Sequence, residues 1–228
     1  MSVFVLKIIA MITMLIDHIT ATFVTRGTVL YMAGRLIGRI AFPIFCFLIV
    51  EGFYHTRNVW IYMLRLAVLA VISEVPFDMM IYGRYIDWNY QNVVLTLLIG
   101  LIAITLIDMI KRKFYPTQLA LYTVLSCLVI FTAGFGAQAM GTDYGMFGVA
   151  VIIIFYFARS NKFFMVLGFV GACMLAYGLL NSELAGAVAF AFIFNYNGEK
   201  GPNDRKLFYL FYPVHLLIIG ALSMFVFK

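Results

Sequence analysis

The chain has 228 residues, 64% of them hydrophobic and 11% charged, with a mean hydropathy of +1.02 and a formal net charge of +6. Apolar runs of about twenty residues recur from end to end, which excludes a soluble domain and points to a polytopic helical membrane protein. The runs are continuous rather than alternating, against a β-barrel, and the basic residues are scattered over short links, against a nucleic-acid partner.

The pattern predicts an all-α bundle of about nine transmembrane helices forming one domain over residues 1–228. Helix one covers residues 3–24, too long for a cleavable signal and without a small-residue cleavage site after it. Helix two, 34–54, contains Arg35, Arg39, Pro43 and Glu51; helix three, 61–82, contains Arg65, Glu74, Pro76 and Asp78. The loop GRYIDWNYQN (83–92) leads into helix four, 93–110, which is clean until Asp108. Helices five to seven fall at 118–138, 144–157 and 163–180, a short helix eight at 184–194, and helix nine at 207–227 after the turn-rich NYNGEKGPNDRK. Cys46, Cys127 and Cys173 all lie in apolar runs without paired or metal-type spacing and are read as packing residues.

The links set the expected orientation. Arg57, then Lys111, Arg112 and Lys113, then Arg159 and Lys162, then Lys200, Arg205 and Lys206 fall on the even-numbered links. The odd-numbered links carry only Arg26 and Arg84. By the positive-inside rule the even links and the N-terminus are cytoplasmic.

Asp17 and His18 sit well inside the first run, LKIIAMITMLIDHI. An Asp at the centre of a span costs roughly 2.5–3.5 kcal/mol on insertion scales, so the pair needs partners or a polar cavity. At a rise of about 1.5 Å per residue, Asp17, His18, Arg35, Arg39, Glu74 and Asp78 all fall in the outer half of the membrane, and His215 near its middle. Arg35 and Arg39 share one helix face, Glu74 and Asp78 another, which invites pairing between them. That set is either a structural ion-pair lattice or the wall of a wet cavity.

His18 is the candidate general base, because an imidazole takes and returns a proton near neutral pH. Asp17 projects about 100° away and is not expected to orient it; a carboxylate of helix three, Glu74 first, is. His215, two residues after Pro213, is an alternative base, a second wall or a structural residue. Lys7, Met11, Met14 and His18 form one helical stripe, with Lys7 about 16 Å from His18 on the cytoplasmic side. That stripe fits an anionic donor entering from inside, and equally an interfacial lysine anchor. Arg57 and Arg65 add cytoplasmic donors. No P-loop, nucleophile elbow, zinc-protease or dinucleotide motif is present, and the three histidines are too scattered to suggest a metal.

LKIIAMITMLIDHI, GRLIGRIAFPIFCFLIVEGFYHTRN, YMLRLAVLAVISEVPFD, NVVLTLLIGL and FYLFYPVHLLII, in this order along nearly the whole chain, resemble the TraX family of integral membrane proteins. Residues 113–181 match only as generic apolar helix. The resemblance implies an acyltransferase of the bacterial inner membrane that uses cytoplasmic acetyl-CoA; the family's type member acetylates the amino terminus of pilin. By motif it carries over Asp17 and His18, Arg35, Arg39 and Glu51, Glu74 and Asp78, and His215. The pilin substrate does not carry over.

The expected function is acetyl transfer from acetyl-CoA to an amine or hydroxyl of an extracytoplasmic acceptor, such as a peptide amino terminus or an amino sugar. His18, Asp17, Glu74 and His215 form the catalytic set, and Lys7, Arg35, Arg39, Arg57 and Arg65 bind the donor; no metal is called for. The rivals are a proton-coupled transporter built on the same ionisable residues and a scaffold subunit of an envelope complex. The acceptor, direct transfer against an acyl-histidine, and homo-oligomerisation stay open.

Overall fold

A computed structural model describes residues 1–202 and 205–225, with the side chains of Arg205 and Lys206 outside the described set. Among the described residues the fold is helical throughout, with one isolated bridge between Gln91 and Thr142. The helices are α1 (Val3–Phe23), α2 (Val29–Gly38), α3 (Ala41–His55), α4 (Val59–Tyr82), α5 (Val93–Phe114), α6 (Leu119–Ala139), α7 (Gly145–Phe157), α8 (Lys162–Tyr177), α9 (Ala189–Ile193) and α10 (Arg205–Phe225). A 3₁₀ segment, Ser182–Val188, runs into α9. Counting α2–α3 and the 3₁₀–α9 run as one segment each gives the nine expected segments.

Local chemistry sets the boundaries. Polar side chains cap the starts: Ser2 accepts from Val5 N–H, Thr28 from Tyr31 N–H, Asn58 from Trp60 and Ile61 N–H, and Asn161 from Phe163 and Phe164 N–H. Gly83, at φ 62°, ends α4. Pro43 has no N–H for the Arg39 carbonyl, and the helix breaks at Arg39–Ile40, dividing one 27-residue span into α2 and α3. That break presents the Arg39 side chain to the 3₁₀ segment.

Among the described residues six segments are long and apolar enough to cross a membrane, counting Val29–His55 as one. The other three of the nine expected segments are shorter apolar helices. α7, with 13 residues, rises only about 20 Å against a hydrocarbon core of about 30 Å. α8 and the 3₁₀–α9 run are also short; α7 is enclosed by its neighbours, whereas α8 buries only Met165, Phe169 and Cys173 and leaves Phe163, Phe164, Leu167 and Leu175 outward. α3 and α7 form the core: Ala41–Ile44, Cys46–Glu51, Phe147–Val149, Val151–Ile153, Phe155 and Tyr156 are buried. A helix apolar all round belongs in such a position. α1 packs on α2, α3 and α10; α4 packs on α10 and α5; α6 packs on α5 and α7 and leaves most of its surface outward.

The links gather at two faces, as the alternation of charge anticipates. On the basic face Val3 N–H donates to the Glu199 carbonyl at 2.8 Å and Arg159 binds Glu51 at 2.6 Å. On the opposite face Gln91 N–H donates to the Gly141 carbonyl at 2.9 Å, and Asp143 N–H to the Gln91 carbonyl at 2.8 Å.

Candidate functional site

Toward the face opposite the basic one, α1, α2, α10, the α6–α7 link and the 3₁₀ segment bring their polar side chains together. α1 supplies His18 and α10 supplies His215, 197 positions apart, with His18 Nδ1 2.9 Å from His215 Nε2 and the rings parallel to within 1°. His215 Nδ1 lies 2.7 Å from the Phe211 carbonyl, one turn back on α10. A carbonyl only accepts, so His215 Nδ1 carries a proton and the Nε2 of its neutral ring accepts from His18 Nδ1–H. The chain His18 → His215 → Phe211 carbonyl therefore leaves His18 Nε2 as an unprotonated imidazole nitrogen. The Phe211 ring stacks on His215 at 4.5 Å and fixes its plane.

Beside the pair, Asp17 binds Arg35 of α2 at 2.8 Å, with both side chains largely buried. Two glycines permit this approach of α1 to α2. A Cβ at Gly38 would overlap the Asp17 carboxylate, and one at Gly34 would overlap the Thr20 side chain. Arg39, at the break below α2, reaches Glu183 of the 3₁₀ segment at 3.0 Å and donates to the Tyr144 hydroxyl at 3.3 Å. Tyr144 caps α7 at φ 66°, a left-handed conformation that a non-glycine residue adopts at a cost, and stacks on Phe42 at 3.8 Å. Its neighbour Asp143 lies outside the membrane-spanning segments. Burial raises the Asp143 carboxyl from 3.8 to about 6, Arg39 opposes the shift, and the charge of Glu183 adds to it.

The expected pairing of Arg35 and Arg39 with Glu74 and Asp78 is corrected. Glu74 accepts from the side-chain amide of Asn92, which caps α5, and Asp78 Oδ2 accepts from Asp87 N–H at 2.7 Å. Both carboxylates tie α4 to the loop that follows it. Depth along the membrane placed the four residues together, but α4 packs on α10 and α5, whereas α2 packs on α1 and the 3₁₀ segment. For the same reason the orienter of His18 is His215, not Glu74.

The expected donor-binding residues do not converge. Arg35 and Arg39 belong to this site, Lys7 lies over the Phe208 ring at 4.5 Å nearer the other face, and Arg57 and Arg65 are exposed on α4 and the link before it. Sequence reasoning missed Glu183, Asp143 and Tyr144. The signals were slight: Asn181-Ser182-Glu183 reads as a cap and first-turn acid, and Asp143-Tyr144-Gly145 as a turn. Among the described residues no group of three or more His, Cys, Asp or Glu side chains is arranged to hold a metal ion.

Comparison with known proteins bears on the whole chain. The family model of the TraX protein matches residues 2–223. The chain is 29% identical to the probable fimbrial assembly protein FimC, serogroup H1, of Dichelobacter nodosus, over 98% of this chain and 96% of that protein. No solved structure matches it.

Proposed function

The chain belongs to the TraX family, and on that premise we propose that it is a membrane-embedded acyltransferase that passes an acetyl group from acetyl-CoA to an amine or hydroxyl of an acceptor on the other side of the membrane. The observation that carries this reading is the hydrogen-bonded histidine pair, which presents one neutral imidazole nitrogen, His18 Nε2, as a base. The excess of Lys and Arg on the basic face supports placing that face and the N-terminus in the cytoplasm, with the chain in the bacterial inner membrane.

In this mechanism His18 Nε2 takes the proton of the acceptor N–H or O–H as the acceptor attacks the thioester carbonyl. A C–N or C–O bond forms and the carbonyl oxygen becomes an oxyanion, to which Arg35 supplies positive charge. Collapse breaks the C–S bond, and the thiolate leaves with the proton returned from His18 Nε2. The second ring spreads the charge: His18 Nδ1–H points at His215 Nε2, which accepts part of the positive charge while His18 is imidazolium. An acyl-imidazole at Nε2 would use the same lone pair. The similarity to a probable fimbrial assembly protein makes a pilus subunit's amino terminus one acceptor to try first.

The test is release of free thiol and transfer of labelled acetyl from acetyl-CoA in membranes containing the full chain. His18→Asn keeps a donor where Nδ1 was and removes Nε2, so it should lower transfer at least about 100-fold, the lower end of what a positioned base contributes. Unchanged transfer in a folded variant would refute the assignment. A second reading, proton-coupled transport, draws on the buried unpaired oxygens Asp17 Oδ1 and Glu74 Oε1. Solute-driven proton flux in proteoliposomes without acetyl transfer would favour it.

A further inference from the structure

Two cavities open on the basic face, at the far end of α3 from the histidine pair. The larger, about 320 Å³, has Glu51 and His55 of α3 on one side, Arg159 and Lys162 on another, and Phe194 and Tyr196 on a third. The smaller, about 210 Å³, shares Arg159 and adds Tyr54, Tyr156 and Lys111.

Arg159 stands between the two and is held in place. Its Nε and Nη2 donate to the two oxygens of Glu51 at 2.6 and 3.3 Å, and its guanidinium lies 4.3 Å from the centre of the Tyr54 ring. A guanidinium has five N–H donors, and this pairing leaves three, the two on Nη1 and one on Nη2, for other acceptors. Lys162 gives one of its three protons to the Phe194 carbonyl at 3.1 Å. Glu51 is 5% exposed and already engaged, and Asp108, which accepts from the Tyr156 hydroxyl, is paired with Arg112 at 2.7 Å, so the cations Arg159, Lys162 and Lys111 outnumber the acids left to face them. The remaining walls are flat: Tyr54 and Tyr156 stack within 8° of parallel, and Tyr196 meets Phe47 edge to face.

We propose that this pair of cavities binds a nucleotide, with its phosphates on Arg159, Lys162 and Lys111 and its base against the aromatic walls. Two lysines flanking a fixed guanidinium suit a multiply charged phosphate better than a single carboxylate. The aromatic faces suit a planar ring. One extension rests on the proposed acyl transfer: the nucleotide end of the thioester donor sits here, and its arm runs beside α3, about 15 Å from Glu51 to Ala41, toward the histidine pair.

The experiment is a titration of the full chain, in nanodiscs of uncharged lipid, with a fluorescent ADP analogue. ADP, inorganic phosphate, acetyl-CoA and phosphatidylglycerol serve as competitors. Saturable binding that ADP displaces, weakened about tenfold or more by Lys162→Gln or Lys111→Gln, is the expected result; both lysines are exposed and either variant should fold. Absence of saturable binding, or binding by both variants as tight as by the unmutated chain, overturns the proposal. So does displacement by phosphatidylglycerol but not ADP, or displacement by inorganic phosphate as effective as by ADP. ADP binding that acetyl-CoA does not displace supports the nucleotide site and contradicts the donor extension. His18→Asn should lose transfer and keep ADP binding, so the two readings fail separately.

Discussion

Glu51 and Asp17 are both carboxylates held inside helices, and their surroundings treat them differently. Each oxygen of Glu51 receives a donor from Arg159, with His55 Nδ1 a further 3.6 Å away and the Tyr196 hydroxyl also bonded. Asp17 uses one oxygen on Arg35 and leaves Oδ1 buried without a partner, and Arg39 Nε of the same site is also unpaired. A buried polar atom without a partner costs about 1–3 kcal/mol, and more where no water is near. The saturated cluster at the basic face is a fixed support for Arg159. The unsaturated one has donors and acceptors to spare, as a site that meets a polar substrate requires.

Substitutions at each end sharpen that contrast. The largest effect is expected at the unsaturated end: His18→Asn should lower acetyl transfer at least about 100-fold while the thermal unfolding midpoint moves little. At the saturated end, Arg159→Gln should act on stability instead. It strands the Glu51 charge, at a cost of about 3 kcal/mol, and the Glu51→Gln/Arg159→Gln double variant should recover much of it. If Arg159→Gln unfolds no more easily than the wild type, the pair is not the support described here.

Between these, Gly38→Ala pushes a methyl group into the Asp17 carboxylate and should cost about 1–3 kcal/mol, with transfer falling as Asp17 and Arg35 shift. Gly136→Ala, where an added Cβ meets nothing within 4 Å, is its control. The smallest effect concerns pH. The folded protein holds the Asp143 proton more tightly than the unfolded chain, so its contribution to stability is present below about pH 4 and lost as pH rises from 3.8 toward about 6. Asp143→Asn removes that loss. The melting point of the variant relative to the wild type should rise across this window and stay level above it; a flat difference throughout contradicts the buried setting of Asp143.

The same contrast marks what the sequence reveals. Helix limits follow from caps and apolar length, so α1, α4 and α5 lie within a few residues of expectation and the alternation of charged links matches the two faces. Depth also follows from rise per residue, which is why His18, Arg35 and Arg39 were placed together. Azimuth does not follow. In lipid an apolar face is not driven inward, so the pattern of Leu and Ile on α4 does not reveal that Glu74 turns to Asn92 rather than to Arg35. The partner of Arg39 was hidden for another reason: Glu183 lies in a short 3₁₀ segment that reads as a link.

The account depends most on the protonation of the histidine pair. Solid-state nitrogen NMR of the histidine-labelled chain in bilayers near neutral pH, with His18→Asn and His215→Asn for assignment, reads each ring nitrogen directly. The predicted result is protonated Nδ1 and unprotonated Nε2 on both rings, with a coupling from His18 Nδ1–H to His215 Nε2. A proton on His18 Nε2, or no coupling between the two rings, would contradict the central claim.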